Sequence, residues 1–118
     1  MENGAGRREL RELLCAPRTK KILHETERKP QSVGELSTVC DASEPTLYRQ
    51  VNSLLDRGLL REETEIDDNG NHYTVYRNNV KRADIQIRPQ NSEVEIDLTF
   101  KDVSDQFKNL WEDLRNDS

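Results

Sequence analysis

Residues Ser43 to Leu60, SEPTLYRQVNSLLDRGLL, decide how the rest of the chain is read. Ser43 has the chemistry of a helix N-cap, and Glu44 and Pro45 are both tolerated in a first turn. Leu47, Val51, Leu54 and Leu55 recur at i, i+4, i+7 and i+8, drawing one apolar stripe along a helix. Gly58 stands where such a helix needs a residue free to take the left-handed conformation. The other side carries Thr46, Tyr48, Arg49, Gln50, Asn52 and Ser53, of which only Arg49 is charged. A helix buried along one side and furnished with hydrogen-bonding groups along the other can lie in a DNA major groove and touch base edges. An ordinary amphipathic surface helix has the same pattern, so the flanking segments must arbitrate.

Upstream, residues 1–6 are rich in Gly and Asn and read as disordered. Arg7 to Cys15 sets Leu10, Leu13 and Leu14 on one helical face, and Pro17 ends that helix. Arg18 to Arg28 predicts a second helix with Ile22 and Leu23 inward, broken at Lys29-Pro30. Ser32-Val33-Gly34-Glu35 has the S-x-x-E form of a capping box, opening a third helix through Val39 with Leu36 and Val39 buried. Cys40-Asp41-Ala42 then makes a three-residue connection to the Ser43 helix. Two short helices joined by so brief a turn make a helix-turn-helix.

Downstream of Gly58 the periodicity changes to that of strands. Leu60–Asp67 and His72–Asn78 flank Asp68-Asn69-Gly70-Asn71, which is strong hairpin-turn chemistry. A helix-turn-helix followed by a hairpin is the winged-helix order. A second alternating pattern follows: Ile85 and Ile87, then Val94, Ile96, Leu98 and Phe100, separated by Pro89-Gln90-Asn91-Ser92. It predicts another hairpin with one wet face. Asp102 to about Asn116 predicts a final helix with Val103, Phe107, Leu110, Trp111 and Leu114 on one side. The fold class expected is therefore α+β: a winged helix-turn-helix with an additional C-terminal β-hairpin and a dimerisation helix. Residues 1–17 form an arm and short helix, 18–82 the DNA-binding domain, and 83–118 the hairpin and terminal helix.

The 118 residues suit one domain with a modest core, since 32% are hydrophobic against 35% charged. A chain this lean in apolar residues gains from a partner subunit, and a Trp and a Phe on one terminal face suit a dimer interface. Leu10, Leu13 and Leu14 are the expected partners of that face in a homodimer. No apolar run approaches a membrane span and no signal-peptide pattern opens the chain, so the expected place is the cytoplasm, with no membrane partner. Two unpatterned cysteines, Cys15 and Cys40, suit a reducing compartment.

The net charge of −5 is unevenly spread. The acid is concentrated after residue 82, away from the Ser43 helix, and arginine outnumbers lysine. Acid-rich, lysine-poor and apolar-poor composition resembles proteins of salt-loving archaea, whose surfaces stay soluble through charge. Molar salt screens repulsion within a few ångströms, which lets an acidic chain meet DNA.

The run P-T-L-Y-R-Q-V-N-S-L-L-D-R-G-L-L, followed by a hairpin containing T-V-Y-R, resembles ArsR-type and related archaeal winged-helix transcriptional regulators, most closely the small haloarchaeal ones. The resemblance covers about residues 18–82. It implies double-stranded DNA as the partner, a homodimer and repression as the commoner mode; the sequence names no effector. Carried over residue by residue, it implies base reading by Pro45, Thr46, Tyr48, Arg49 and Gln50, where the family often has small serines at the places of Pro45 and Tyr48. Asn52 and Ser53, deeper along the helix, would meet phosphate. Further phosphate contacts would come from Arg18, Lys20 and Lys21, from Asn69, Asn71 and His72 at the wing tip, and from Arg77 on its return strand.

The resembled family includes metal sensors with a Glu-Leu-Cys-Val-Cys-Asp string, which Glu35-Leu36-Ser37-Thr38-Val39-Cys40-Asp41 echoes with one additional residue and without the first thiol. One thiolate cannot assemble a tetrahedral soft-metal site, so no metal and no cofactor is expected. No Gly-rich phosphate loop and no nucleophile with a nearby base occurs, so no enzymatic activity is expected either. The rival reading is a winged-helix protein–protein adaptor within a transcription or replication assembly, which the acidic balance favours and the nearly uncharged outer side of the Ser43 helix disfavours.

Overall fold

Four helices precede four strands in the computed structural model, which describes residues 2–102. The helices are α1 (Glu2–Cys15), α2 (Pro17–Arg28), α3 (Val33–Cys40) and α4 (Glu44–Asp56). The strands are β1 (Leu60–Ile66), β2 (His72–Asn78), β3 (Val80–Arg88) and β4 (Glu93–Phe100). The apolar stripe of Val103, Phe107, Leu110, Trp111 and Leu114, expected on a dimerisation helix, lies outside the described residues. None of the described helices is long and apolar enough to cross a membrane.

Helix α1 starts at Glu2, which corrects the expectation of disorder as it concerns residues 2–6. No proline interrupts that stretch. Pro17 does end α1, and it also opens α2 in the first turn, where its missing N–H costs nothing. The capping box forms as the sequence predicts. The Glu35 amide donates to Ser32 Oγ at 3.2 Å, and the Ser32 amide donates to Glu35 Oε1 at 3.1 Å.

Ile22, Leu36, Leu47, Val51, Leu54 and Leu59 are completely buried and form one core shared by α2, α3, α4 and the start of the wing. Leu14 joins this core and Leu10 and Leu13 pack against it, so the α1 leucines expected at a dimer interface are engaged within their own subunit. Gly58 takes a φ of 75°. The Leu59 amide donates to Leu54 O and the Gly58 amide to Leu55 O, both at 2.9 Å, which is the Schellman closure of a helix. Its hydrophobic contact is supplied by Leu54 and Leu59.

The wing has the expected register, with Leu60 opposite Asn78 and Ile66 opposite His72. A third short piece of sheet lies between α2 and α3. Gln31 and Tyr76 exchange backbone bonds of 3.0 and 2.8 Å, which fastens the wing to the helices. Val75 and Tyr76, whose side chains leave opposite faces, are both buried, so the wing base is covered on each side. This order of helices, bridge, turn and hairpin fits a winged helix-turn-helix.

The second hairpin is a separate two-stranded sheet. Its first strand starts at Val80, so it runs through the 82/83 boundary expected from the sequence. Asn78 and Asn79, both buried, make the joint between the hairpins. Asn79 uses every hydrogen-bonding group it has. Its amide donates to Leu59 O (2.9 Å) and its carbonyl accepts from the Lys101 amide (2.8 Å). Its Nδ2 donates to Gly58 O (3.0 Å) and Asp102 O (2.8 Å), and its Oδ1 accepts from the Asp102 amide (3.1 Å). Asn78 Nδ2 donates to Glu27 Oε2 and to Val80 O, both at 2.8 Å. Lys101 meets the same Glu27 carboxylate.

Two outcomes follow from this joint. Asn79→Ala, which leaves several buried partners unpaired, should lower unfolding stability by about 1–3 kcal/mol, and Asn79→Asp by no less. Urea titrations with an unchanged midpoint for both would contradict the joint. The Lys101 and Asn78 bonds also hold the Glu27 carboxyl below its ordinary value of 4.5. A lowered carboxyl contributes stability above its unfolded value and loses it as pH falls through the folded one. Melting temperature should therefore drop less steeply below about pH 5 in Glu27→Gln than in the native chain. Identical slopes in the two pH series would count against the assignment.

Candidate nucleic-acid interface

The turn between α3 and α4 sets the angle of the recognition surface. Asp41 closes α3 at a φ of 51°, a left-handed position that a short polar side chain tolerates. The Ser37 hydroxyl donates to Ala42 O and pins the turn. Ser43 then caps α4, accepting from the Thr46 amide at 3.3 Å and donating to Thr46 Oγ1 at 2.9 Å.

Beyond the cap, Pro45, Tyr48, Arg49, Asn52 and Ser53 are all exposed. Their spacing of i, i+3, i+4, i+7 and i+8 makes them one continuous stripe opposite Leu47, Val51 and Leu54. Tyr48 is 49% exposed. It stands on the wing side of the stripe, where it and Glu62 help burial raise the Tyr76 hydroxyl pKa. Arg49 forms no ion pair among the described residues, and its only side-chain bond is a long 3.5 Å contact to Thr46. Ser53 turns its hydroxyl back to Arg49 O at 3.2 Å. Thr46 is half-buried and held by the cap.

Gln50 is not on this surface. Its Nε2 donates to Thr19 Oγ1 at 3.0 Å, across to the buried side of α2, and its Oε1 is buried with no partner among the described residues. The signal was in the sequence: Gln50 follows Leu47 by three and precedes Leu54 by four, which places it on the flank of the apolar stripe. Thr19 was the unseen half of the pair, a polar residue in register with Ile22 and Thr26 along the buried side of α2.

Arg18, Lys20 and Lys21 are exposed on the first turns of α2 and form no ion pair among the described residues. Lys21 and Arg18 lie close enough to Cys40, at the end of α3, to oppose the rise that burial causes in its thiol pKa. They therefore flank the α3–α4 turn, beside the entry to the exposed stripe. Among the described residues no group of three His, Cys, Asp or Glu side chains stands together as a metal site.

The wing is a different surface. Asp67 Oδ1 accepts from the Asn69 and Asn71 amides, each at 2.9 Å, and Gly70 turns the tip at a φ of 82°. This brings Asn69, Asn71 and His72 together, all exposed. Between residues 60 and 78, however, two arginines face five carboxylates. Arg77 Nε is paired with Glu63 Oε1 at 2.9 Å, and Tyr73 donates to Glu65 at 2.9 Å. Arg77 would meet a phosphate with its charge already shared with Glu63. The wing offers neutral donors at its tip and net negative charge along its length.

Residues 17–63 match the family model of the helix-turn-helix domain. The match begins at the first residue of α2 and ends inside β1, so it holds the bridge at Gln31, the pinned turn and the whole of α4. Over those residues the chain is thus similar to a helix-turn-helix domain, an arrangement whose second helix can enter a DNA major groove. Comparison with curated proteins finds no match.

Positions 49 and 50 can be told apart by experiment. Gln50→Ala should lower stability by about 1 kcal/mol through the orphaned Thr19 hydroxyl and leave base preference unchanged. Arg49→Ala should leave stability within about 0.5 kcal/mol and change base preference. Melting curves and binding-site selection on both variants check this, and a changed preference in Gln50→Ala alone would reverse the placement.

Proposed function

We propose that the protein is a sequence-specific DNA-binding transcriptional regulator, of ArsR-like winged-helix type and haloarchaeal composition, that acts as a homodimer and represses by occluding a promoter. The observation that carries this reading is the exposed stripe of α4, where Arg49 has no ion pair among the described residues, together with three cations on the first turns of α2 that likewise have none. In a symmetric dimer the two α4 helices would enter successive major grooves, about 34–36 Å apart on a pseudo-palindromic site. Arg49 reaches a guanine edge, a contact that discriminates by about 1–3 kcal/mol. Tyr48 packs on a thymine methyl or a sugar. Arg18, Lys20 and Lys21 hold phosphates and set the docking register.

Gel shifts of genomic fragments in high potassium salt test the reading, with selective retention expected. Retention of no fragment would favour the adaptor role instead, to which the acidic wing lends itself.

The charge distribution makes the salt dependence specific. Four unpaired cations at the interface give a slope of log affinity against log salt of about −4 per subunit or shallower. Arg18→Ala should weaken binding to all sequences alike and reduce the magnitude of that slope by about 1. A much steeper slope, or a sequence-dependent loss in Arg18→Ala, would argue against this footprint.

A further inference from the structure

The apolar side of the second hairpin is covered unequally. Ile85 stands opposite Ile96, and Ile87 opposite Val94. The β4 member of each pair is half-buried, whereas Ile85 is 41% and Ile87 72% exposed. Leu10 and Arg11 of α1 line a groove of about 450 Å³ with Val94, Glu95, Ile96 and Asp97 of β4. Leu10 and Arg11 thus face the middle of β4 across this groove, and the apolar strip along β3 stays open. A two-stranded hairpin is not stable in water on its own and needs such a face covered.

The chain itself carries a matching surface. Val103, Phe107, Leu110, Trp111 and Leu114 follow β4 at helical spacing. As a helix, residues 103–118 would span about 24 Å at about 1.5 Å per residue. That is close to the length of an eight-residue strand, about 26 Å at about 3.3 Å per residue.

The connection decides which copy is covered. Lys101 is bound through its amide to Asn79 O and through its ammonium to Glu27. Asp102 is bound through both backbone groups to the Asn79 side chain, and its carboxylate pairs with Arg61 at 3.2 Å. The stripe begins at the next residue. Doubling back takes a connection of about 2–6 residues, and the two that lie between β4 and the stripe are both already held by Asn79, Glu27 and Arg61, which fixes the direction in which the chain leaves.

We infer that residues 103–118 of a second copy cover the Ile85–Ile87 strip, each subunit giving its segment and receiving the other's. This deepens the homodimer in the proposed function and rests on it. The exchange is isologous, so it closes at two copies and leaves no apolar strip for a third.

Trp111 is the only tryptophan and reports on the contact directly. The full chain is followed by sedimentation and by tryptophan emission over a dilution series, beside Ile85→Asp/Ile87→Asp and the milder Ile87→Thr. The native chain should be a dimer with blue-shifted emission that moves to the red on dissociation. The double variant should weaken the dimer by about tenfold or more and shift the emission at concentrations where the native chain is paired. Ile87→Thr should do the same to a smaller degree, and it serves alone if the double variant does not fold.

Blue emission from a monomer, independent of concentration, would overturn the inference in favour of the chain's own hairpin. A dimer indifferent to Ile85 and Ile87 would overturn it in favour of pairing between the segments themselves. Red emission at every concentration would overturn it outright. Gel shifts keep the two proposals apart: a monomer that retains selected fragments sinks the exchange and spares the DNA reading, and a dimer that retains none does the reverse.

Discussion

A single buried residue, through its backbone and its side chain, ties together the end of α4, the wing and the second hairpin. Asn79 bonds to Gly58 and Leu59, where α4 ends, and to Lys101 and Asp102, where the second hairpin ends. Asn78, beside it, closes the wing opposite Leu60 and bonds to Glu27 of α2. The end of α4, the wing and the C-terminal hairpin therefore share one set of hydrogen bonds. The fully satisfied set costs little to bury, whereas a set with one member missing strands several polar groups at once. This asymmetry makes the joint a constraint on geometry more than a source of stability.

The electrostatics fall into place around that joint. An overall charge of −5 disfavours a polyanion, yet the charge that matters is the charge within a Debye length of the phosphates. Arg49 on α4 and Arg18, Lys20 and Lys21 on the first turns of α2 have no ion-pair partner among the described residues, and Arg18 and Lys21 lie near Cys40 at the α3–α4 turn. The wing and the second hairpin pair most of their cations internally, as in Arg77 with Glu63, Arg82 with Asp84 and Arg88 with Glu95. The cations of the exposed α4 stripe and of the first turns of α2 thus differ from those of the two hairpins, most of which are neutralised. On the proposed reading the acidic wing would be pushed from a DNA backbone while α4 is drawn to it.

Periodicity and local chemistry carried most of the fold into the sequence. Ser43, Gly58 and the Ser32–Glu35 pair act through neighbours a few residues away, so their roles could be read without coordinates. The Asp68–Asn71 turn set the wing register for the same reason. The long-range polar pairs were not legible. Gln50 with Thr19, Asn78 with Glu27, and Asn79 with Asp102 join residues whose proximity exists only in the folded chain. Composition also hid the state of Arg77, which reads as a free cation until Glu63 is found diagonally across the strand pair. The α4 stripe was legible in outline, and its one misplaced member, Gln50, sat at the boundary between faces where period alone decides least.

A core this small explains why polar contacts take on the placement of elements. Its completely buried side chains come mainly from α2, α3, α4 and the strand bases, and they fix that these elements pack but not how each is rotated. Hydrogen bonds are directional and supply the rotation. Thr19 and Gln50 set α4 against α2, Gln31 sets the wing against α2 and α3, and Asn79 sets the two hairpins against the end of α4. An error in the rotation of α4 would redirect Arg49 and the rest of its exposed stripe while leaving the buried area almost unchanged. Buried polar residues are thus kept where an apolar residue would hold the helix as firmly but aim it less well.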